Sequence, residues 1–155
     1  MATDASHPTA ASARGRYPSP MDDARRTDRA LAMAALFGLT AVALGAFGAH
    51  GLGSVLAGAD DIVLRTGWWE TAASYHLAHA LAIGLAAWAH DRRPSKVSRA
   101  ASSLFAVGVV LFAGSLYAMA LGAPRWLGAI TPLGGLCLMA GWAALAWAAL
   151  RRPGS

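Results

Sequence analysis

The sequence predicts an all-α membrane protein: a left-handed bundle of four transmembrane helices with both termini in the cytoplasm and a disordered N-terminal tail. Three observations carry that prediction. Hydrophobic residues make up 56% of the 155 residues and charged ones only 14%, against roughly 25% charged in ordinary soluble domains. Four apolar runs free of Asp, Glu, Lys and Arg follow one another, at about 30–49, 71–89, 100–122 and 132–150. The basic residues, finally, gather on alternate connections between those runs.

Residues 1–29 stand apart. Pro8, Pro18 and Pro20, several Ser and Thr, and the charged cluster DDARRTDR at 22–29 offer no apolar face to bury, so this segment reads as a disordered cytosolic tail. The Arg25–Arg26 pair has the look of a twin-arginine export signal, but the apolar run from Ala30 to Ala49 is too long for one. A cleavable signal has an apolar core of roughly 7–15 residues, whereas a run of about 20 crosses a ~30 Å hydrocarbon layer at ~1.5 Å per residue. A retained anchor is expected.

The other three runs also have spanning length. Asp60 is placed to cap a short helix, Asp61 to Trp69, lying along the membrane surface ahead of the second span. HDRRPSKVSR at 90–99 is polar and broken by proline, and reads as a short loop between the second and third spans. Thr131–Pro132 looks like an N-cap followed by proline at the first helical position of the fourth. Residues 151–155 form a short cytosolic end.

Orientation follows from the basic residues. The tail carries Arg14, Arg16, Arg25, Arg26 and Arg29, the middle loop Arg92, Arg93, Lys96 and Arg99, and the end Arg151 and Arg152, leaving only Arg65 and Arg125 for the other two connections. With four spans, the positive-inside rule puts both termini and the middle loop in the cytoplasm. The sequence pI near 10.4 is thereby accounted for by topology, and nucleic-acid binding loses its motive. Trp68, Trp69 and Trp126 fall at the outer interface, Trp88 and Trp147 near the inner one. Cys137 is the one cysteine, which excludes an internal disulfide.

Small residues recur every seven positions in each span: Gly38 and Gly45; Ala73, Ala80 and Ala87; Gly108, Ser115 and Gly122; Gly134, Gly141 and Ala148. In lipid, helices associate by close backbone approach at such positions, and a seven-residue seam implies left-handed crossing near +20°. Gly38, Gly45, Gly108, Gly134 and Gly141 are the expected packing positions.

His76 and His79 are the chemistry-bearing oddity. At 100° per residue His76 lies beside the Ala73/Ala80/Ala87 stripe and His79 about 60° to its other side, so both face the bundle. His50, Tyr75, Ser115 and Thr131 fall at a comparable depth, giving one polar layer in the outer half of the membrane. Tyr117 points about 160° away from Ser115, toward the interface or a neighbouring chain.

GAFGAHGL (45–52), YHLAHAL (75–81), LFAGSLYAMALG (111–122), ITPLGG (130–135) and the following GW (141–142) resemble, in this order, the signature blocks of the family called domain of unknown function 423, whose animal members are the transmembrane protein 256 homologues. The resemblance covers about residues 30–150. It implies a four-span integral membrane protein of the bacterial plasma membrane, with no established reaction, ligand or catalytic residue. His79 matches the family's recurring histidine better than His76 does.

Polar groups in a membrane are costly and invite a functional reading. A His-x-x-His pair supplies two metal ligands, and His50 could supply a third. Yet no Cys cluster or buried carboxylate joins them, and histidines that bond across helices to Tyr75, Ser115, Thr131 or backbone carbonyls are the simpler account, at about 0.6 kcal/mol each. No catalytic residue, metal centre or cofactor is expected. Gly114–Ser115 lacks an acid–base partner, and GAHG lacks the strand of a phosphate loop. Three function classes fit. An accessory or scaffold subunit docked to other membrane proteins leads, and beyond the lipid bilayer the expected partners are such proteins or a second copy of the chain. A subunit holding a quinone, haem or metal on the histidine layer is one alternative, and a minimal oligomeric transporter or channel is the other.

Overall fold

The computed structural model describes residues 20–151. Most of the expected disordered tail and of the cytosolic end lies outside them. Five α-helices follow in order: α1 (Pro20–His50), α2 (Leu52–Val55), α3 (Ile62–Arg92), α4 (Lys96–Ala120) and α5 (Thr131–Leu150), with a 3-10 turn at Arg125–Ala129 before the last. No strand occurs among the described residues.

Several boundaries differ from the sequence expectation. Residues 20–29, assigned to the tail, are the first turns of α1, which starts at Pro20. Proline costs nothing at a helix start because the first amides have no intrahelical acceptor. The expected surface helix at Asp61–Trp69 is the beginning of α3, one continuous helix of 31 residues, since no proline interrupts the backbone ladder there. Its N-cap is Asp61, without a side-chain cap bond. Asp60 is exposed. The fourth long helix is capped by Ile130, not by Thr131, whose hydroxyl is taken by a neighbouring helix.

The α3–α4 corner obeys local rules. Arg93 has φ −146° and ψ 82°, the extended conformation forced on a residue preceding proline, here Pro94. Helix α4 restarts at once, because the Ser95 side chain accepts the Ser98 amide at 3.0 Å, a standard N-cap. At its far end Gly122 takes φ +99°, a left-handed conformation natural to glycine, and Ala123 N–H closes back on Ala118 O at 2.9 Å.

Helices α3 and α4 form the middle of the molecule, α1 packs on α3, and α5 packs on α4. Helices α1 and α5 share no substantial contact, so the four long helices make an open row rather than a closed ring. The α3–α4 seam is fully buried at Ala72, Ile83, Ala86, Ala101 and Phe105. Alanines on α3 let α4 approach closely, as lipid-embedded helices require.

Three stretches are long and apolar enough to cross a membrane: Thr27–His50, Lys96–Ala120 and Arg125–Leu150. Helix α3 is not among them. It is longer than α4, but Glu70, Ser74, Tyr75, His76 and His79 dilute its apolar content. Of these, His76 and His79 are buried against neighbouring helices, while Glu70, Ser74 and Tyr75 are exposed.

Candidate functional site

His76 and His79 of α3 go to different partners. His79 faces α5: Trp142 Nε1–H donates to its Nε2 at 3.2 Å, and its Nδ1 lies 2.8 Å from the Tyr75 carbonyl oxygen. A carbonyl only accepts, so the proton is on Nδ1 and the lone pair on Nε2. Both ring nitrogens are satisfied within the protein. The Tyr75 ring stacks over His79 with centroids 5.7 Å apart.

His76 faces α1. Its Nε2 lies 3.4 Å from Thr40 Oγ1, while the Thr40 hydroxyl is within 3.0 Å of the Leu36 and Phe37 carbonyls. The hydroxyl donates to a carbonyl, so it accepts from His76 Nε2–H and leaves Nδ1 as a lone-pair acceptor. That Nδ1 is buried with no hydrogen-bond partner, and so is the hydroxyl of Tyr117. The His76 and Tyr117 rings meet edge-on with centroids 6.1 Å apart. His76 and His79 therefore adopt opposite tautomers, each set by its neighbouring groups.

Trp69 is buried at 3% exposure and donates its Nε1–H to Leu44 O at 3.0 Å, so its ring packs against α1. Gly48 makes this possible, because a Cβ there would lie 2.6 Å from Trp69 Nε1. Tyr117 packs against Trp69 with centroids 4.6 Å apart, so it reaches neither the interface nor a neighbouring chain. Ser115 points the other way, to Thr131 at 2.8 Å. Both face protein because α4 has helices on two sides. The single layer divides accordingly. His76 belongs to the α1/α3/α4 side, His79 and Tyr75 to the α3/α5 side, Ser115 and Thr131 to the α4/α5 seam. His50 is exposed at the end of α1, apart from all of them.

The packing glycines divide as well. A Cβ on Gly134 would strike the Phe112 backbone, with Cα at 2.8 Å; one on Gly108 would strike Leu138, and one on Gly141 would lie 2.6 Å from Phe105. These three hold α4 against α5. Around Gly38 and Gly45 a Cβ would meet nothing within 4 Å, so their seam is not used inside this chain.

Sequence reasoning missed the partners Thr40 and Trp142. Trp142 carried a legible signal, since a tryptophan in mid-span lies outside both interface belts and its N–H needs an acceptor. It also missed a polar cluster at the other end, where His90 Nδ1 lies 2.9 Å from Ser98 Oγ. Asp61 is more than a solvated edge. It bonds Arg65 at 2.6 Å and Arg125 at 2.9 Å, tying the start of α3 to the 3-10 turn. The Arg65 hydrogen bond is the main reason its carboxyl titrates below the usual value of 3.8. No group of three or more His, Cys, Asp or Glu among the described residues is arranged to hold a metal ion.

This is a helical membrane protein whose polar side chains are arranged chiefly to join helices. The chain belongs to the DUF423 family, described as proteins of unknown function, whose model matches residues 44–135. It is 41% identical over 121 residues to the UPF0382 inner membrane protein YgdD of Escherichia coli K12, covering 78% of this chain and 88% of that one. It is 37% identical over 121 residues to a UPF0382 membrane protein of Haemophilus influenzae, covering 78% and 93%, and 40% identical over 121 residues to the UPF0382 membrane protein YwdK of Bacillus subtilis, covering 77% and 94%. No solved structure matches the chain.

Proposed function

We propose that the chain is a four-span protein of the bacterial inner membrane, with both ends and the middle loop cytoplasmic and left-handed helix crossings, acting as an accessory or scaffold subunit for other membrane proteins. One observation carries the scaffold role. Helix α1 keeps two glycines, Gly38 and Gly45, with open space above them, although each costs about 1 kcal/mol of helix propensity relative to alanine. Glycines kept without an internal packing need suit a second helix laid across them. The flanking Leu39 and Val42 are 67% and 62% exposed. The orientation is supported by Arg92 and Arg151, stacked over Trp88 and Trp147 at 4.7 Å, an arrangement suited to the cytoplasmic headgroup level.

Crosslinking in native membranes from Gly38 and Gly45, with identification of the adducts, tests the role. A foreign membrane protein captured from both positions and not from Leu133 is expected; lipid alone, or self-contacts alone, overturns it. Topology is tested by labelling His50→Cys and Pro94→Cys in a Cys137→Ser background. Reaction from opposite faces is expected, and reaction from one face refutes four spans.

A quinone-binding reading draws on a groove of about 660 Å³ between α3 and α5, lined by Tyr75, His79, Phe112, Leu138, Met139 and Trp142. Its aromatic, largely apolar walls suit a planar ring with an isoprenoid tail. Haem or metal ligation there would first have to break the His79–Trp142 bond. Organic extraction of protein purified in mild detergent, with an absorption spectrum, decides: a stoichiometric quinone supports this reading and an empty extract rejects it.

A further inference from the structure

A second cavity lies at the opposite end of the helices, where α1, α3 and α4 converge. It has a volume of about 250 Å³ and is lined by Arg29, Met33, His90, Arg99, Ser102 and Ser103, with Ala30 and Ala87. At ~30 Å³ per water it has room for roughly eight waters, enough for a phosphate and the first atoms of an ester.

The chemistry of the lining is one-sided. The Ser95 backbone N–H donates to His90 Nδ1 at 3.3 Å, so that nitrogen carries the lone pair and the proton of the neutral ring sits on Nε2. His90 is only 4% exposed, and its Nε2 has no hydrogen-bond partner. A buried N–H left unpaired costs about 1–3 kcal/mol, and the His90 residue that carries it lines the cavity. The other polar residues lining the cavity are Arg29, Arg99, Ser102 and Ser103. Arg99 also has another interaction, so Arg29, which is exposed, supplies the adaptable charge. The nearby carboxylates Asp28 and Asp91 are exposed and do not line the cavity. Met33, Ala30 and Ala87 close its apolar side.

We infer that this cavity binds the phosphate of an anionic glycerophospholipid, with His90 Nε2–H and the serine hydroxyls donating to its oxygens, Arg29 balancing its charge, and the glycerol end resting on Met33. Basic pockets between spans at the cytoplasmic face are suited to such headgroups. The site is independent of the α1 glycine face and of the α3–α5 groove, so it stands or falls separately from the scaffold role.

The test is native mass spectrometry of the full chain in mild detergent, titrated with phosphatidylglycerol or phosphatidylcholine. Wild type is expected to retain one phosphatidylglycerol with at least ~5-fold preference over phosphatidylcholine. Arg29→Gln and Ser102→Ala should each lower that occupancy several-fold, and Arg151→Gln should leave it unchanged. Arg29 is exposed, so its variant keeps the fold, checked by circular dichroism. A parallel thermal melt uses inorganic phosphate alone. Equal retention of both lipids, unchanged retention by Arg29→Gln, or stabilisation by inorganic phosphate with none by phosphatidylglycerol overturns the lipid site. Perturbation of the His90 Nε2–H resonance by phosphatidylglycerol, absent with phosphatidylcholine, is the expected direct signature.

Discussion

Trp142 Nε1–H meets His79 Nε2 at 3.2 Å, a donor on α5 and an acceptor on α3. The bond joins two helices that otherwise touch little. A double-mutant cycle with His79→Ala and Trp142→Phe should give a coupling of about 0.6 kcal/mol, with ~1.7 as the ceiling for such bonds in a membrane. Nitrogen NMR should find the neutral ring protonated at Nδ1. Zero coupling, or protonation at Nε2, refutes the assignment.

Gly134 and Gly45 should respond oppositely to the same substitution. Gly134→Ala drives a methyl into the Phe112 backbone, which cannot rotate aside, and should cost about 1–3 kcal/mol. Gly45→Ala has free space and should leave the isolated chain as stable or up to ~1 kcal/mol more stable. Unfolding in mixed micelles reads both. A loss at Gly45 in the purified chain would mean that the glycine packs within it.

Tyr117→Phe removes a buried hydroxyl that has no partner and keeps the ring against Trp69 and His76. An unpaired buried donor is a liability of about 1–3 kcal/mol, so the variant should melt at the same temperature or higher. A clear fall in melting temperature would reveal a bound group bridging Tyr117 to His76.

Asp61 should make the fold acid-sensitive at the start of α3. Its carboxyl titrates below 3.8 in the folded chain, chiefly through the hydrogen bond to Arg65, with Arg125 adding to it. A depressed folded value means that the contribution is fully present above the unfolded value and disappears as pH falls through the folded one. Wild type should therefore lose melting temperature below about pH 3.8, and Asp61→Asn should show a smaller loss over the same range. Parallel curves would remove Asp61 from the account.

The helical class, the approximate position of each apolar segment, the break at Pro94 and the inward direction of His76 and His79 were legible in the residues. Each depends on something local: apolar length, a proline, or the 100° step between neighbours. Partner choice was not legible. Ser115 and Tyr117 diverge on one helix, and only the position of α4 between α1, α3 and α5 makes both of them face protein. Trp69 has the composition of an interface residue and is drawn inward because Gly48 leaves room for its ring beside the Leu44 carbonyl. Likewise His76 and His79 are the same side chain three residues apart, yet they carry their protons on different nitrogens, because a threonine hydroxyl faces one and an indole N–H faces the other. Periodicity determines which way a side chain points, but helix order determines what it meets, and hydrogen-bond roles follow from that meeting alone.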